Sequence, residues 1–312
     1  MSGKNRTVIT IVGPTGVGKT EIGYLTALRL NGEIISADSR QMYRYMNIGT
    51  DKPPKQYRDT VRHHFVDFLD PLEKYTAGRF GKDARKVIDT LFKKNKTPII
   101  VGGSGLYIKA LLEGFFDEPM ADDTVKEELK REITVKGNRE LYNELRKVDP
   151  VFAEQITVND SQRIIRGLEV FRASGKPLSR LWEESKITVD LLPLYIGLTK
   201  NRKKLYSIID DRVESMIERG LIKEVKTIAS MGYSKNLNAL QTYGYQEVIE
   251  FLEGLCTFEE MVEKIKRRTR NFAKRQMTWF RKIKGIHWFT VRESSEEIVE
   301  GICNVYNAGI QD

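Results

Sequence analysis

Gly13, Gly18, Lys19 and Thr20 fall in the spacing G-x-x-x-x-G-K-[ST], a combination of residue types that can hold a chain of phosphates. Glycines at 13, 16 and 18 let the backbone turn tightly enough for several N–H groups to converge on one anion. The start of the helix that follows adds partial positive charge. Lys19 supplies a mobile point charge, and the Thr20 hydroxyl can ligate Mg²⁺. The competing reading, an ordinary glycine-rich turn, leaves the ordered context of strand, full motif and helix unexplained. The whole loop, Gly13-Pro14-Thr15-Gly16-Val17-Gly18-Lys19-Thr20, is read as a site for a di- or triphosphate.

A second group stands nearby. Glu33-Ile34-Ile35-Ser36-Ala37 reads as a short strand, and Asp38, Ser39, Arg40 and Gln41 follow at its carboxyl end, where ligands of open parallel sheets bind. A carboxylate there can hold Mg²⁺ through water, accept a proton from a nucleophile, or cap the next turn. Gly102-Gly103-Ser104-Gly105 is either a second anion nest or a tight βα turn. Apart from strands ending at Asp38 and Asp67, no apolar strand ends in an aspartate of the kind that holds Mg²⁺ in nucleotide hydrolases. His63 and His64 are adjacent on a strand and point to opposite faces with no Cys or His partner nearby, so they read as structural. His287 is isolated.

The elements that must position these groups alternate as strand and helix through residue 121, which predicts a parallel sheet with crossover helices. Strands are read at 9–12, 33–37, 64–69, 98–101, 191–198 and 286–289, and helices after Thr20, at 77–93 and at 106–112. Strand signals vanish from residue 122 to 190, where amphipathic helical stretches (124–135, 139–147, 150–156 and 161–174) form an insertion. Helices then run over 201–219, to 229, over 245–251 and 258–284, and from 295, with Ser295 as the predicted N-cap. The fold class is α/β: a P-loop NTPase-like parallel sheet flanked by helices, with an all-helical insertion domain. Residues 1–121 and 191–312 make the catalytic core, and residues 122–190 make the insertion.

The 258–284 helix is the most informative of these. Ile265, Thr269, Phe272, Gln276, Trp279 and Ile283 form one stripe, so Phe272 and Trp279 are expected to pack in the core. Ten Lys and Arg residues between Lys264 and Lys284 crowd the other faces, and the helix has no acidic residue after Glu263 to pair with them. That face is either solvated or made for a phosphate backbone. A net charge of +9 over 312 residues points the same way. No apolar run approaches the roughly twenty residues of a membrane helix, so no membrane partner is expected. The N-terminus carries no signal-peptide core, and Cys256 and Cys303 lack metal-ligand spacing. A cytoplasmic protein with reduced thiols follows, expected to act as a monomer.

The ordered motifs carry a family resemblance. Residues 13–20, Ser36-Ala37-Asp38-Ser39-Arg40-Gln41-Met42-Tyr43, Asn47-Ile48-Gly49-Thr50-Asp51-Lys52-Pro53 and Val101-Gly102-Gly103-Ser104-Gly105-Leu106-Tyr107 resemble the tRNA dimethylallyltransferases. The likeness continues through Asn159-Asp160-Ser161-Gln162-Arg163, Leu168-Glu169-Val170, Gly244-Tyr245 and Ala273-Lys274-Arg275-Gln276-Met277-Thr278-Trp279, nearly the whole chain. Such an enzyme transfers a dimethylallyl group from dimethylallyl diphosphate to N6 of the adenine just 3′ of the anticodon. The resemblance implies that the 13–20 loop, Lys19 and Mg²⁺ at Thr20 hold the diphosphate, that Asp38 takes the proton from N6, and that Arg212 adds charge on the leaving group. In Asp210-Asp211-Arg212 that arginine could instead pair with its neighbours. The resemblance places on the tRNA anticodon stem-loop Asp38, Ser39, Arg40 and Gln41, with Ser104 and Lys126 as single contacts. It adds Gln162, Arg163, Ile164, Ile165 and Arg166 of one helix, and Gln241, Thr242, Tyr243, Gly244, Tyr245 and Gln246. Arg163 and Arg166 lie three apart on one helix face, a spacing suited to phosphates.

Two departures concern RNA preference rather than reaction class. Gln241 and Gln246 stand where the bacterial pattern has arginine, and Ser104 where threonine is usual. A kinase using ATP in the same loop would leave the insertion and the basic helix unused. An adenylate isopentenyltransferase acting on free AMP, ADP or ATP would share the reaction, but the full insertion and the long basic C-terminal region favour the tRNA branch. An RNA-binding nucleotide switch lacks its metal-holding aspartate after the Val101 strand.

Overall fold

A computed structural model describes residues 6–114, 123–184, 189–292 and 294–311. The boundary expected at residues 121–122 falls outside the described residues. Six parallel strands form one sheet in the order β3-β2-β4-β1-β5-β6, with β1 at Thr7–Val12, β2 at Gly32–Ala37, β3 at His63–His64, β4 at Thr97–Gly102, β5 at Leu192–Thr199 and β6 at His287–Thr290. β1, β2 and β4 are near-continuous apolar runs because helices cover both faces. Val8 and Val12 face one core, with Ile35, Ile100 and Phe80; Ile9 and Ile11 face the other, with Ile34, Ile99 and Ile196.

Helices α1 (Lys19–Arg29), α3 (Ala77–Lys93), α4 (Gly105–Leu112), α10 (Arg202–Glu218), α11 (Leu221–Ser230), α12 (Tyr245–Leu252), α13 (Phe258–Phe280) and α14 (Ser295–Gln311) enclose the sheet, and the short α2 (Lys55–Thr60) lies near its β3 edge. Residues 123–184 hold only helices: α5 (Asp123–Lys136), α6 (Asn138–Val148), α7 (Pro150–Ala153), α8 (Ser161–Ser174) and α9 (Leu178–Glu184). They bury a cluster of their own around Leu141, Leu145, Phe152, Ile164 and Leu168.

Three sequence expectations are corrected. The strand read over 64–69 is only His63–His64, because Phe65 and Asp67 adopt left-handed φ values of 63° and 59° that turn the chain out of the ladder. His64 bonds Glu33 at 2.7 Å and Asp67 pairs with Lys52, so neither ends an active-site strand. The helix from 258 stops at Phe280 rather than 284, and its buried face is Met261, Ile265, Ala273, Gln276 and Phe280. Trp279 is 37% exposed and lies over Gly105, while Phe272 is half-buried. Ser294, not Ser295, caps α14 by accepting from the Glu297 N–H.

Candidate active site

Strand register sets the site. Val12 of β1 pairs with Gly102 of β4, and Gly102 with Ala37 of β2, so three strands end level and their loops leave from one line. These loops, with α10, α13 and the 241–246 segment, line a cleft of about 960 Å³, within the range of small-molecule sites. Gly18, at φ 104°, makes the left-handed turn that opens α1, a conformation a side chain would strain. Lys19 Nζ donates to the carbonyls of Gly13 (2.9 Å) and Pro14 (2.8 Å), folding back over the loop. Burial lowers its pKa to about 8; Asp38 and Asp51 oppose that shift and Arg212 adds to it. Lys19 therefore stands within the field of two carboxylates and a guanidinium.

Asp38 uses one oxygen to cap its own turn: Oδ1 accepts from the N–H groups of Arg40 (2.8 Å) and Gln41 (3.2 Å). Its capping role and its placement in the cleft coexist, since no described residue bonds the second oxygen. Ser39 N–H donates to Ser104 Oγ at 3.2 Å, tying the ends of β2 and β4. Gln41 Nε2 donates to the carbonyl of Asp51 at 3.0 Å. Arg40 donates to the Asn238 carbonyl across the cleft.

Arg212 does not pair with its neighbours in α10. Its guanidinium donates to Thr15 Oγ1 (2.9 Å) at the loop tip and lies 3.4 Å from the Asp51 carboxylate, which also faces Arg219 at 3.9 Å. Thr15 N–H donates to Gln276 Oε1 at 2.8 Å. Thr20 lines the cleft and its hydroxyl has no bond to a described residue, which suits a metal ligand near bound phosphate.

The residues assigned to RNA separate into groups. Asp38, Ser39, Arg40, Gln41, Ser104, Gln162, Gln241, Thr242, Tyr243, Gly244 and Gln246 all line the cleft. Gln246 bonds Gln241 and accepts from Arg268 at 2.9 Å. Arg268 and Arg275 both lie over the Tyr243 ring, which also meets Phe272 at 5.6 Å between centroids. Guanidinium groups thus reach this segment from α13 although Gln occupies both of its ends. Tyr245 is fully buried, its hydroxyl on Glu224 at 2.6 Å, and Ile164 and Ile165 turn into the helical core. Arg163 faces Asp160 at 3.5 Å and Arg166 bonds Glu169 at 2.9 Å. Lys126 is exposed on α5 and does not line the cleft. The acids absent from α13 itself are supplied by its neighbours: Lys264, Lys266, Arg268 and Arg270 pair with Glu250, Glu214, Glu247 and Asp210 of α10 and α12.

Sequence reasoning missed Asp51, Glu224 and Gln276 as parts of the site. Glu224 of α11 accepts from the N–H groups of Asn47, Ile48 and Gly49, holding the loop that carries Asp51. The only available signal was that Asp51 and Gln276 sat inside motifs already singled out; Glu224 gave none.

The sequence model of the IPP transferase family matches residues 41–283. A tRNA dimethylallyltransferase from Carboxydothermus hydrogenoformans is 45% identical over 308 residues, 98% of each chain. Among solved structures, a tRNA isopentenylpyrophosphate transferase from Bacillus halodurans is similar at TM-score 0.72 and 35% identity, over 98% of this chain and 97% of that one. A eukaryotic dimethylallyltransferase acting on tRNA is similar at TM-score 0.79 and 28% identity, over 98% of this chain and 80% of the other.

Proposed function

The chain belongs to the IPP transferase family, and from that footing we propose that it transfers a dimethylallyl group from dimethylallyl diphosphate to N6 of the adenine 3′-adjacent to the anticodon of a tRNA, releasing diphosphate. One observation carries the reading: the phosphate loop with Lys19 and Arg212, the half-used Asp38 carboxylate and the Tyr243–Arg268 wall line one cleft. An exocyclic adenine amine is a weak nucleophile. As N6 attacks the allylic carbon, the carbon–oxygen bond to diphosphate breaks and the N6 proton passes to the open oxygen of Asp38. The two N–H groups on Oδ1 keep that carboxylate oriented. Negative charge grows on the departing diphosphate, where Lys19, Arg212 and the loop N–H groups would stabilise it. Mg²⁺ bound at Thr20 would supply further charge neutralisation there.

The target base must leave the anticodon loop, at the low cost of an already single-stranded segment. Tyr243 and Phe272, edged by Arg268 and Arg275, offer it or its neighbour a stacking surface. Residues 122–190 serve as an RNA-contacting unit, supported by Gln162 in the cleft and the basic side chains Arg163, Arg166 and Lys126 on its helices.

The test incubates the protein with Mg²⁺, labelled dimethylallyl diphosphate and bulk bacterial tRNA, with AMP in one parallel reaction and ATP in another. Label on N6 of an RNA nucleoside is the expected result. Label in AMP alone would assign the chain to adenylate prenylation, and consumption of ATP without label transfer would make it a phosphotransferase.

A further inference from the structure

Gln276 lies on α13, 6% exposed, with each end of its amide on a different loop of the site. Oε1 accepts from the Thr15 N–H at the tip of the phosphate loop, at 2.8 Å. Nε2 donates to the Gly103 carbonyl just beyond β4, at 3.0 Å. A backbone N–H on one side and a carbonyl on the other fix which way the amide points. The approach is close: a Cβ at Gly103 would stand 2.1 Å from Nε2, so a side chain there would displace the amide from this position. On the far side of Thr15, Oγ1 receives the Arg212 guanidinium at 2.9 Å. One unbroken series of contacts therefore runs from Gly103 through Gln276 and Thr15 to Arg212.

We propose that Gln276 is a positioning residue for the diphosphate site, holding the loop tip through Thr15 and thereby setting Arg212 against the leaving group. The proposal rests on the diphosphate role assigned above to the loop and Arg212. A buried glutamine that merely satisfied itself could use any backbone pair. This one engages the loop that must cradle the anion and a strand end that bears Ser104, one residue from its own acceptor. It belongs to the helix whose exposed faces carry the cations read as RNA-facing, so the tip of the phosphate loop is referenced to the RNA side of the cleft.

The test uses Gln276→Met, which keeps length and packing but offers neither polar atom, beside Gly103→Ala, which pushes the amide off Thr15 while leaving Gln276 in place. Inorganic pyrophosphate binding, followed by calorimetry on the full chain, should weaken about tenfold in both. The kcat for transfer should fall by about the same factor while KM for tRNA stays at the wild-type value. Thr15→Val removes the hydroxyl that meets Arg212, and combined with Gln276→Met it should cost no more than the worse single change, because both act through one series of contacts. Wild-type pyrophosphate affinity and kcat in either folded variant would overturn the assignment, as would losses that multiply in the double variant or a raised KM for tRNA at unchanged kcat. If Gln276→Met does not fold, Gly103→Ala decides alone. A wild-type chain that binds pyrophosphate but transfers nothing to RNA would sink the transferase reading, and the pyrophosphate titrations would still decide this one.

Discussion

Asp38 and Lys19 carry the chemistry at the scale of single residues, and each makes a distinct expectation. Because Asp38 Oδ1 caps its own turn, alanine would remove both the cap and the base, whereas Asp38→Asn keeps the acceptor for the Arg40 and Gln41 N–H groups. In Asp38→Asn we expect single-turnover transfer to drop by about 10²- to 10⁴-fold, with pyrophosphate binding unchanged or tighter for want of one negative charge. A normal transfer rate in that variant would remove Asp38 as the base. Lys19 gives a pH signature. Burial holds its pKa down at about 8, against the pull of Asp38 and Asp51. A bound diphosphate favours the charged ammonium and so raises that pKa, which means the complex holds more protons than the free protein. Affinity is therefore full below pH 8 and declines as pH rises through it. Calorimetry at pH 8 in buffers of different ionisation heat should show roughly half a proton taken up by Lys19 on pyrophosphate binding. Lys19→Arg, charged throughout this range, should lack that component. Both residues were legible in the sequence, because each sits in a motif whose spacing dictates backbone shape. The contact between Thr15 and Arg212 was not: they lie 197 positions apart, and no local pattern joins them.

At the scale of elements, the segment from Asn47 to Asp51 is shaped by α11 and α12 rather than by its own sequence. Glu224 accepts three consecutive backbone N–H groups and the hydroxyl of the fully buried Tyr245, whose ionisation burial pushes up out of the accessible range. Removing one acceptor would leave these donors without a partner, so Glu224→Ala should cost about 2–4 kcal/mol. Chemical denaturation would read it as a lower midpoint at unchanged slope. The same change frees the loop bearing Asp51, so kcat should fall further than a loss of stability alone explains. An unaltered midpoint would mean the clamp contributes nothing. This element also marks where reading from sequence stopped. β1, β2 and β4 announced themselves as apolar runs, and α3 as an amphipathic helix, because burial on a face leaves a periodic trace. The apolar run after His64 left the same trace without being a strand: Phe65 and Phe80 pack edge to face, and the left-handed turns at Phe65 and Asp67 serve that packing, not a ladder. Trp279 misled for a related reason, since the buried stripe of α13 passes through Phe280, one residue on.

For the whole molecule, the question is where a net charge of +9 is spent. Along α13 and just past its end the cations divide by what stands opposite them. Lys264, Lys266, Arg268 and Arg270 face carboxylates of α10 and α12, so their charge is largely answered within the protein. Lys274, Arg281 and Lys282 are exposed, and no described carboxylate pairs with them; Lys274 and Lys282 also flank a surface hollow with Arg275 and Trp279. Sequence alone showed a uniform basic helix, because the answering acids come from other elements. Unanswered cations are the ones most free to displace counterions from an RNA backbone, so the two groups should differ in the salt dependence of tRNA binding. Replacing Lys274 and Lys282 together by alanine should reduce the slope of log affinity against log salt by about 1.5, near 0.7–0.9 per lost phosphate contact, with thermal stability preserved. Replacing Lys264 and Lys266 should leave the slope where it was and lower stability slightly, by about 0.5 kcal/mol for each part-exposed pair. Filter-binding titrations across a range of potassium chloride would separate the two. Equal slopes in both double variants would place the RNA elsewhere on the molecule, and a reversed pattern would mean that the ion pairs to α10 and α12 open when RNA binds.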